Sequence, residues 1–139
     1  MATLVWFNKF KEAALEKKHD FSTDTFKFAL SNTAPTAATN TVLANITQIS
    51  AGNGYTTGGA ALTSVTSIET GGVVTIDAAN VVFTASGGSI GPFRYVVLYN
   101  DTATNDELVC YWDLGSSQSL ADTQALNLNI DAAGIFTLS

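Results

Sequence analysis

The chain has 139 residues, of which 46% are hydrophobic and 13% are charged, and its formal net charge at pH 7 is −6. This length suits one domain with an apolar core, and the composition is the opposite of that of a disordered chain. A single cysteine excludes an intrachain disulfide, and one cysteine with one histidine excludes a zinc site of the usual ligand count within one chain.

The charges are unevenly distributed along the sequence. All the lysines lie within the first 27 residues, and Arg94 is the only basic residue that follows them. The acidic remainder argues against a nucleic-acid partner. The N-terminus lacks a basic stretch followed by an apolar run, and no segment approaches about 18 apolar residues. We therefore expect neither a signal peptide nor a membrane partner, and synthesis in a cytoplasm.

A helix is predicted within residues 1–20, with its regular part over residues 4–18. Trp6 and Phe10 are four residues apart and fall on one side of such a helix, and Phe7 lies beside them. Three large aromatic side chains give a short helix a large apolar surface. We expect the helix to pack on the body of the protein or on a neighbouring subunit.

The remainder, residues 21–139, is predicted to be a single β domain. Short segments with alternating apolar residues recur between turn signals such as Gly71-Gly72, and no helices alternate with them. Segment 41–49 stays open between a short strand and one helical turn. The pattern predicts a mainly β protein, a β-sandwich or jelly-roll-like antiparallel fold of about eight strands with a short N-terminal helix. The predicted strands cover residues 25–30, 60–68, 73–77, 81–85, 93–99, 108–114, 124–130 and 135–138.

Residues that carry catalysis are sparse. His19 is predicted to end the helix, where its charged form would suit the helix dipole. Cys110 alternates with apolar residues in a strand and is predicted to be a small buried group. The glycine-rich loop 52–59 lacks the ending of a phosphate-binding loop, and no Gly-x-Ser-x-Gly elbow occurs. We predict a protein that is not an enzyme, with no catalytic residue, no cofactor, no metal and no small-molecule substrate.

Two charged features leave alternatives open. The oxygen-rich loop 100–107 lacks EF-hand spacing, so we expect a solvated turn, with cation binding left open. Arg94 stands in an otherwise apolar strand and needs a partner if it is buried. We expect a salt bridge with Asp113 or Asp101, or else an intersubunit contact. The predicted interface residues are Trp6, Phe7, Phe10, Lys11 and Arg94.

Three segments of the chain are distinctive: residues 19–30, residues 51–59 with the block Asn53-Gly54-Tyr55-Thr56, and residues 83–99. From about residue 8 to the C-terminus, the chain resembles small virion proteins of tailed bacteriophages. The nearest group is that of the capsid decoration, or cement, proteins. The resemblance implies a jelly-roll-like β fold and a place on the phage head after synthesis in the host cytoplasm.

The resemblance also implies a mechanical role. A cement protein clamps neighbouring capsid subunits from outside, so the major capsid protein and further copies of this chain, as a homodimer or higher oligomer, are the expected partners. A second reading is a tail, fibre or baseplate component. A third, of another class, is a carbohydrate- or receptor-binding β-sandwich, with Trp112 or Tyr55 exposed on a concave face.

Overall fold

The computed structural model describes residues 3–130 and 134–139. The first two residues of the predicted helical segment and residues 131–133 of the predicted β domain lie outside them. The described residues form one α-helix, one 3-10 turn (Leu43–Asn45) and ten strands. The mainly β fold with a short helix near the N-terminus is therefore confirmed. In chain order the elements are β1 Thr3–Trp6, α1 Asn8–Leu15, β2 Phe26–Ser31, β3 Ala60–Ala61, β4 Thr66–Thr70, β5 Val73–Asp77, β6 Val81–Thr84, β7 Ile90–Asn100, β8 Leu108–Leu120, β9 Ala125–Leu128 and β10 Phe136–Leu138.

The strands form three antiparallel sheets. The largest has five strands in the order β1-β8-β7-β2-β3, with the long strands β7 and β8 at its centre. A three-stranded sheet in the order β10-β5-β4 and the pair β6-β9 complete the set. Side chains from the large sheet and from both small ones meet in one main core, which makes the arrangement sandwich-like.

Both faces of the large sheet carry buried residues. On β2, Phe28 and Leu30 point into the main core, while Ala29 points to the opposite face. A second core on that opposite face includes Ile46, which follows the 3-10 turn, and Val97 of β7. Because strands present successive residues to opposite faces, a strand covered on both sides must be apolar throughout. Residues 93–99, which apart from Arg94 are apolar and were predicted to be a strand, lie in β7 inside this sheet.

The predicted helix over residues 4–18 is wrong at its start. Thr3–Trp6 is an edge strand that pairs antiparallel with β8, for example Val5 with Tyr111. Leu4 and Trp6 then share one face and pack against the main core. Trp6 is two residues from Leu4, the repeat of a strand, and four residues from Phe10, close to the repeat of a helix. The local pattern therefore did not distinguish a strand from a helix.

The helix also ends earlier than predicted, at Leu15. Lys17 adopts a left-handed backbone conformation with φ 68°. The N–H of Lys17 donates to the carbonyl of Ala14 at 3.3 Å, and that of Lys18 donates to the carbonyl of Ala13 at 2.9 Å. These two bonds are those of a Schellman motif, which satisfies the last helical carbonyls and turns the chain away.

Other element boundaries differ from the predicted ones, in part because strands pair with partners that are distant in sequence. The single strand predicted over residues 60–68 is two strands, β3 and β4, and the open segment 41–49 contains the 3-10 turn. The strand predicted to begin at residue 93 begins at Ile90, which pairs with Leu120. Both β7 and β8 therefore extend beyond their predicted ends.

Candidate functional site

Two of the three N-terminal aromatic residues, Phe7 and Phe10, are buried within their own chain, and Trp6 is half-buried. Phe7 is 0% exposed and Phe10 is 3% exposed. The ring of Trp6 stacks on Phe10 at 5.3 Å between centroids and meets the edge of Phe136 at 4.7 Å. Of the two arrangements expected for this segment, the structure has the one in which it packs on the body. Of the other predicted interface residues, Lys11 is exposed and Arg94 is half-buried.

Arg94 forms the predicted salt bridge with Asp113. The guanidinium Nε donates to Oδ1 at 2.7 Å and Nη2 donates to Oδ2 at 3.0 Å. The hydrogen bond from Arg94, with a second from the N–H of Gly115, lowers the pKa of Asp113. The other expected partner, Asp101, instead contacts Lys27 at 3.2 Å. The two side chains of the Arg94–Asp113 pair are 39% and 30% exposed, so solvent screens the attraction and the main effect of the pair is to orient Arg94.

Tyr55 anchors the glycine-rich loop and is 2% exposed. Its hydroxyl accepts a hydrogen bond from the N–H of Leu30 at 3.0 Å and donates to Gln48 Oε1 at 2.9 Å. The same Gln48 oxygen accepts from the N–H of Gly58 at 2.8 Å. The expectation that Tyr55 is exposed and could bind a sugar is therefore wrong, because the side chain is buried and its hydroxyl is hydrogen-bonded inside the protein.

The prediction that a charged His19 ends the helix is also wrong. The helix stops four residues earlier, and the His19 ring is buried 5.3 Å from the ring of Phe10. Its Nδ1 faces the amide nitrogen of Asn100 at 3.2 Å. The same amide nitrogen donates to the carbonyl of Lys18 at 3.1 Å and to the carboxylate of Asp24 at 2.7 Å. Within the described part of the chain, the buried Nε2 of His19 has no hydrogen-bond partner. Burial lowers the pKa of His19, and the charges of Glu107 and Asp24 oppose this only in part.

This burial makes stability depend on pH. In the unfolded chain His19 takes up a proton as the pH falls through about 6.5, while the folded chain resists protonation to a lower pH. We expect the free energy of unfolding, measured by urea denaturation, to decrease as the pH falls from about 7.5 to about 5.5. Because His19 is the single histidine, the variant His19→Gln should lack this decrease. Parallel curves for the two proteins would contradict the assignment.

Cys110 and the acidic loop 100–107 are the remaining positions considered for reactive or metal-binding chemistry. Cys110 is 0% exposed and burial raises the pKa of its thiol, as expected for a buried apolar group. Burial, and then the charges of Asp101 and Glu107, raise the pKa of Asp106. Over residues 3–130 and 134–139, no group of three or more histidine, cysteine, aspartate or glutamate side chains is placed to hold a metal ion.

A groove of about 380 Å³ opens beside Trp112. The indole ring is half-buried and meets the ring of Phe28 edge-on, with 5.6 Å between centroids. Asn127 and Asn129 line the groove together with apolar residues. Of the two residues offered for the carbohydrate-binding alternative, Trp112 or Tyr55, it is Trp112 that lines this groove.

The exposure of two strand segments was not predicted from the sequence. All five residues of β4 are exposed, and so are residues 115–119 in the outer half of β8. Together they carry one charged residue, Glu69, and are otherwise mostly serine, threonine, glutamine and glycine. In the sequence, these segments are rich in serine and threonine and lack a regular alternation of apolar residues. Such a composition indicates a strand whose side chains are exposed to solvent on both faces. Such segments present side-chain hydroxyls and backbone groups to a partner.

No protein-family model matches the chain, and neither a curated protein nor a solved structure matches it. Among the residues that the structure describes, no helix has the length and apolar character needed to cross a bilayer.

Proposed function

We propose that this chain is a structural protein of a tailed-phage virion, namely a decoration or cement protein on the outside of the head. The observation that carries the proposal is the pair of exposed, nearly uncharged strand segments, β4 and residues 115–119, on a sandwich-like scaffold. The resemblance of three segments to small virion proteins adds to it. The major capsid protein is the proposed partner.

The side chains that could carry out catalysis are buried or paired within the fold, which supports a binding role over a catalytic one. His19 and Cys110 are both buried, and Arg94 is engaged by Asp113. What β4 and residues 115–119 offer to other molecules is mainly backbone and hydroxyl hydrogen bonding. Each such contact is weak, but many symmetry-related copies on one particle make the contacts additive through avidity.

The build of the domain suits a clamp under load. The two longest strands, β7 and β8, lie at the centre of the large sheet, and buried residues pack on both of its faces. Close-packed interiors transmit strain with little deformation. A protein bound across two capsid subunits would resist their separation, after synthesis in the host cytoplasm and assembly onto the head.

The experiment is to locate the chain on intact particles with a thiol-directed gold label. Leu15 is 90% exposed, so a Leu15→Cys variant offers one accessible thiol. The unaltered chain is the matched control, because its Cys110 is buried and should not react. We expect label over the whole head surface in electron micrographs of particles that carry the variant.

Label confined to the tail would assign the chain to a tail, fibre or baseplate component instead. Particles that contain no labelled chain, although the variant folds and is made, would overturn the virion role altogether.

A further inference from the structure

In the hairpin of β4 and β5, strand β4 is paired on one side only. β4 is the outermost strand of its sheet, and no described strand pairs with its outer side. All five of its residues are exposed, and Ile68 at its centre is 59% exposed. Its register with β5 is regular over the full length, from Thr66 opposite Asp77 to Thr70 opposite Val73.

The turn determines which backbone groups of β4 are free. Gly71 and Gly72 have φ of 61° and 87°, the signature of a two-residue type I′ hairpin turn. The residues that flank such a turn form a hydrogen-bonded pair, and these pairs alternate along the strands. Thr70, Ile68 and Thr66 therefore bond to β5. The N–H and C=O groups of Ser67 and Glu69 point outward, away from the sheet.

The usual protections of an edge strand are missing from β4. Natural proteins block edges with lysine, proline, bulges or a covering segment. This strand reads Thr-Ser-Ile-Glu-Thr and has no lysine, proline or bulge. Its one charge, Glu69, has Oε1 2.5 Å from the N–H of Gly72, which draws the carboxylate back toward the turn.

We propose that two copies of the chain pair along β4, antiparallel, about a two-fold axis through Ile68. In this register Ser67 lies opposite Glu69 of the second copy, and their outward backbone groups exchange hydrogen bonds on both sides of the axis. Thr66 lies opposite Thr70, and the two Ile68 side chains meet at the axis. The strand matches itself: no like charges lie opposite each other, and the exposed apolar side chain meets its own copy.

The pairing joins the two three-stranded sheets into one of six strands. One strand pair is a small interface, so we expect a weak dimer that forms with increasing concentration. This inference does not depend on the virion role: a β4 dimer is equally open to a protein of any other function. It also differs from the expected association through the N-terminal aromatics, which lie within one chain's core.

Cysteine cross-linking tests the register directly. The two Ile68 positions form a non-hydrogen-bonded pair, with Cα atoms about 4.5 Å apart, within the range that a disulfide spans. On mild oxidation, the Ile68→Cys variant should form a covalent dimer at least about tenfold faster than Val82→Cys. Val82 is a suitable control because it is 51% exposed on a different sheet, in β6.

A mixture of Thr66→Cys and Thr70→Cys chains, distinguished by mass, should cross-link as the heterodimer in preference to either homodimer. Since Cys110 is buried, it does not compete. Equal rates for Ile68→Cys and Val82→Cys, or preferred Thr66→Cys homodimers, would overturn the proposed register.

A second measurement needs no covalent bond. Sedimentation equilibrium up to about 1 mM should show a monomer–dimer equilibrium. The Ile68→Lys variant should weaken it by at least about tenfold, because two positive charges would meet at the axis, while Val82→Lys should leave it unchanged. Circular dichroism confirms that both variants fold. A chain that stays monomeric, or a dimer that Ile68→Lys does not affect, would overturn the proposal.

Discussion

Replacing Phe10 with alanine is expected to lower the free energy of unfolding by about 3–5 kcal/mol, the usual range for a buried phenylalanine. Phe10 is 3% exposed and lies in the main core. Its ring is 5.3 Å from that of Trp6 and 6.1 Å from that of Phe136. The alanine variant would leave a cavity where the helix, β1 and β10 meet, and urea denaturation would measure the loss.

Leu15 provides the matched control on the same helix. It is 90% exposed, so Leu15→Ala should change the free energy of unfolding by less than about 0.5 kcal/mol. If Phe10→Ala instead left stability intact but weakened self-association, the helix would be an anchor between subunits. Removal of residues 1–18 should likewise unfold the domain, since it deletes an edge strand and side chains from both cores.

The second large effect is expected at Gly59, just before β3. Its φ is 79°, and a Cβ atom there would lie 1.8 Å from the carbonyl oxygen of Phe28. The approach is tight because β3 pairs with β2, with Ala60 opposite Phe28. The Gly59→Ala variant must therefore separate these backbones. We expect a loss of more than about 3 kcal/mol in the free energy of unfolding, measured by chemical denaturation.

Gly72 separates the steric part of this effect from the conformational part. Its φ is 87°, close to that of Gly59, but nothing lies within 4 Å of a Cβ placed there. The Gly72→Ala variant should cost only the left-handed conformation, about 1–2 kcal/mol. Equal losses for the two variants would show that the contact with Phe28 does not constrain β3.

Much of the β architecture could be predicted because it is encoded locally. The paired glycines at 71 and 72 mark the hairpin turn, and β5 occupies the predicted residues 73–77. Cys110 is buried as its alternating apolar neighbours indicate, and Arg94 finds Asp113 on the adjacent strand. These features depend on a period of two, a turn signal or one opposite charge.

The candidate surfaces were less predictable. The sequence singled out Trp6, Phe7 and Phe10 as interface residues because they are large and apolar, a property that core and interface residues share. Residues 66–68 of β4 fall within the predicted strand 60–68, but the exposure of β4 was not predicted, because a run of serine and threonine has the same composition as many loops. Only the pairing of β4 with β5 reveals that its outer edge is open.

Local sequence patterns were enough to predict the class of fold, the hairpin turn at Gly71-Gly72 and the scarcity of reactive side chains. Tertiary structure alone decided that residues 3–6 form a strand, since their partner Cys110–Asp113 lies about a hundred residues further along the chain. It also decided that Tyr55 and His19 face inward, because Leu30 and Asn100 supply their hydrogen-bond partners from distant strands. Periodicity reports which side of a segment is apolar; what covers that side depends on contacts that are remote in sequence.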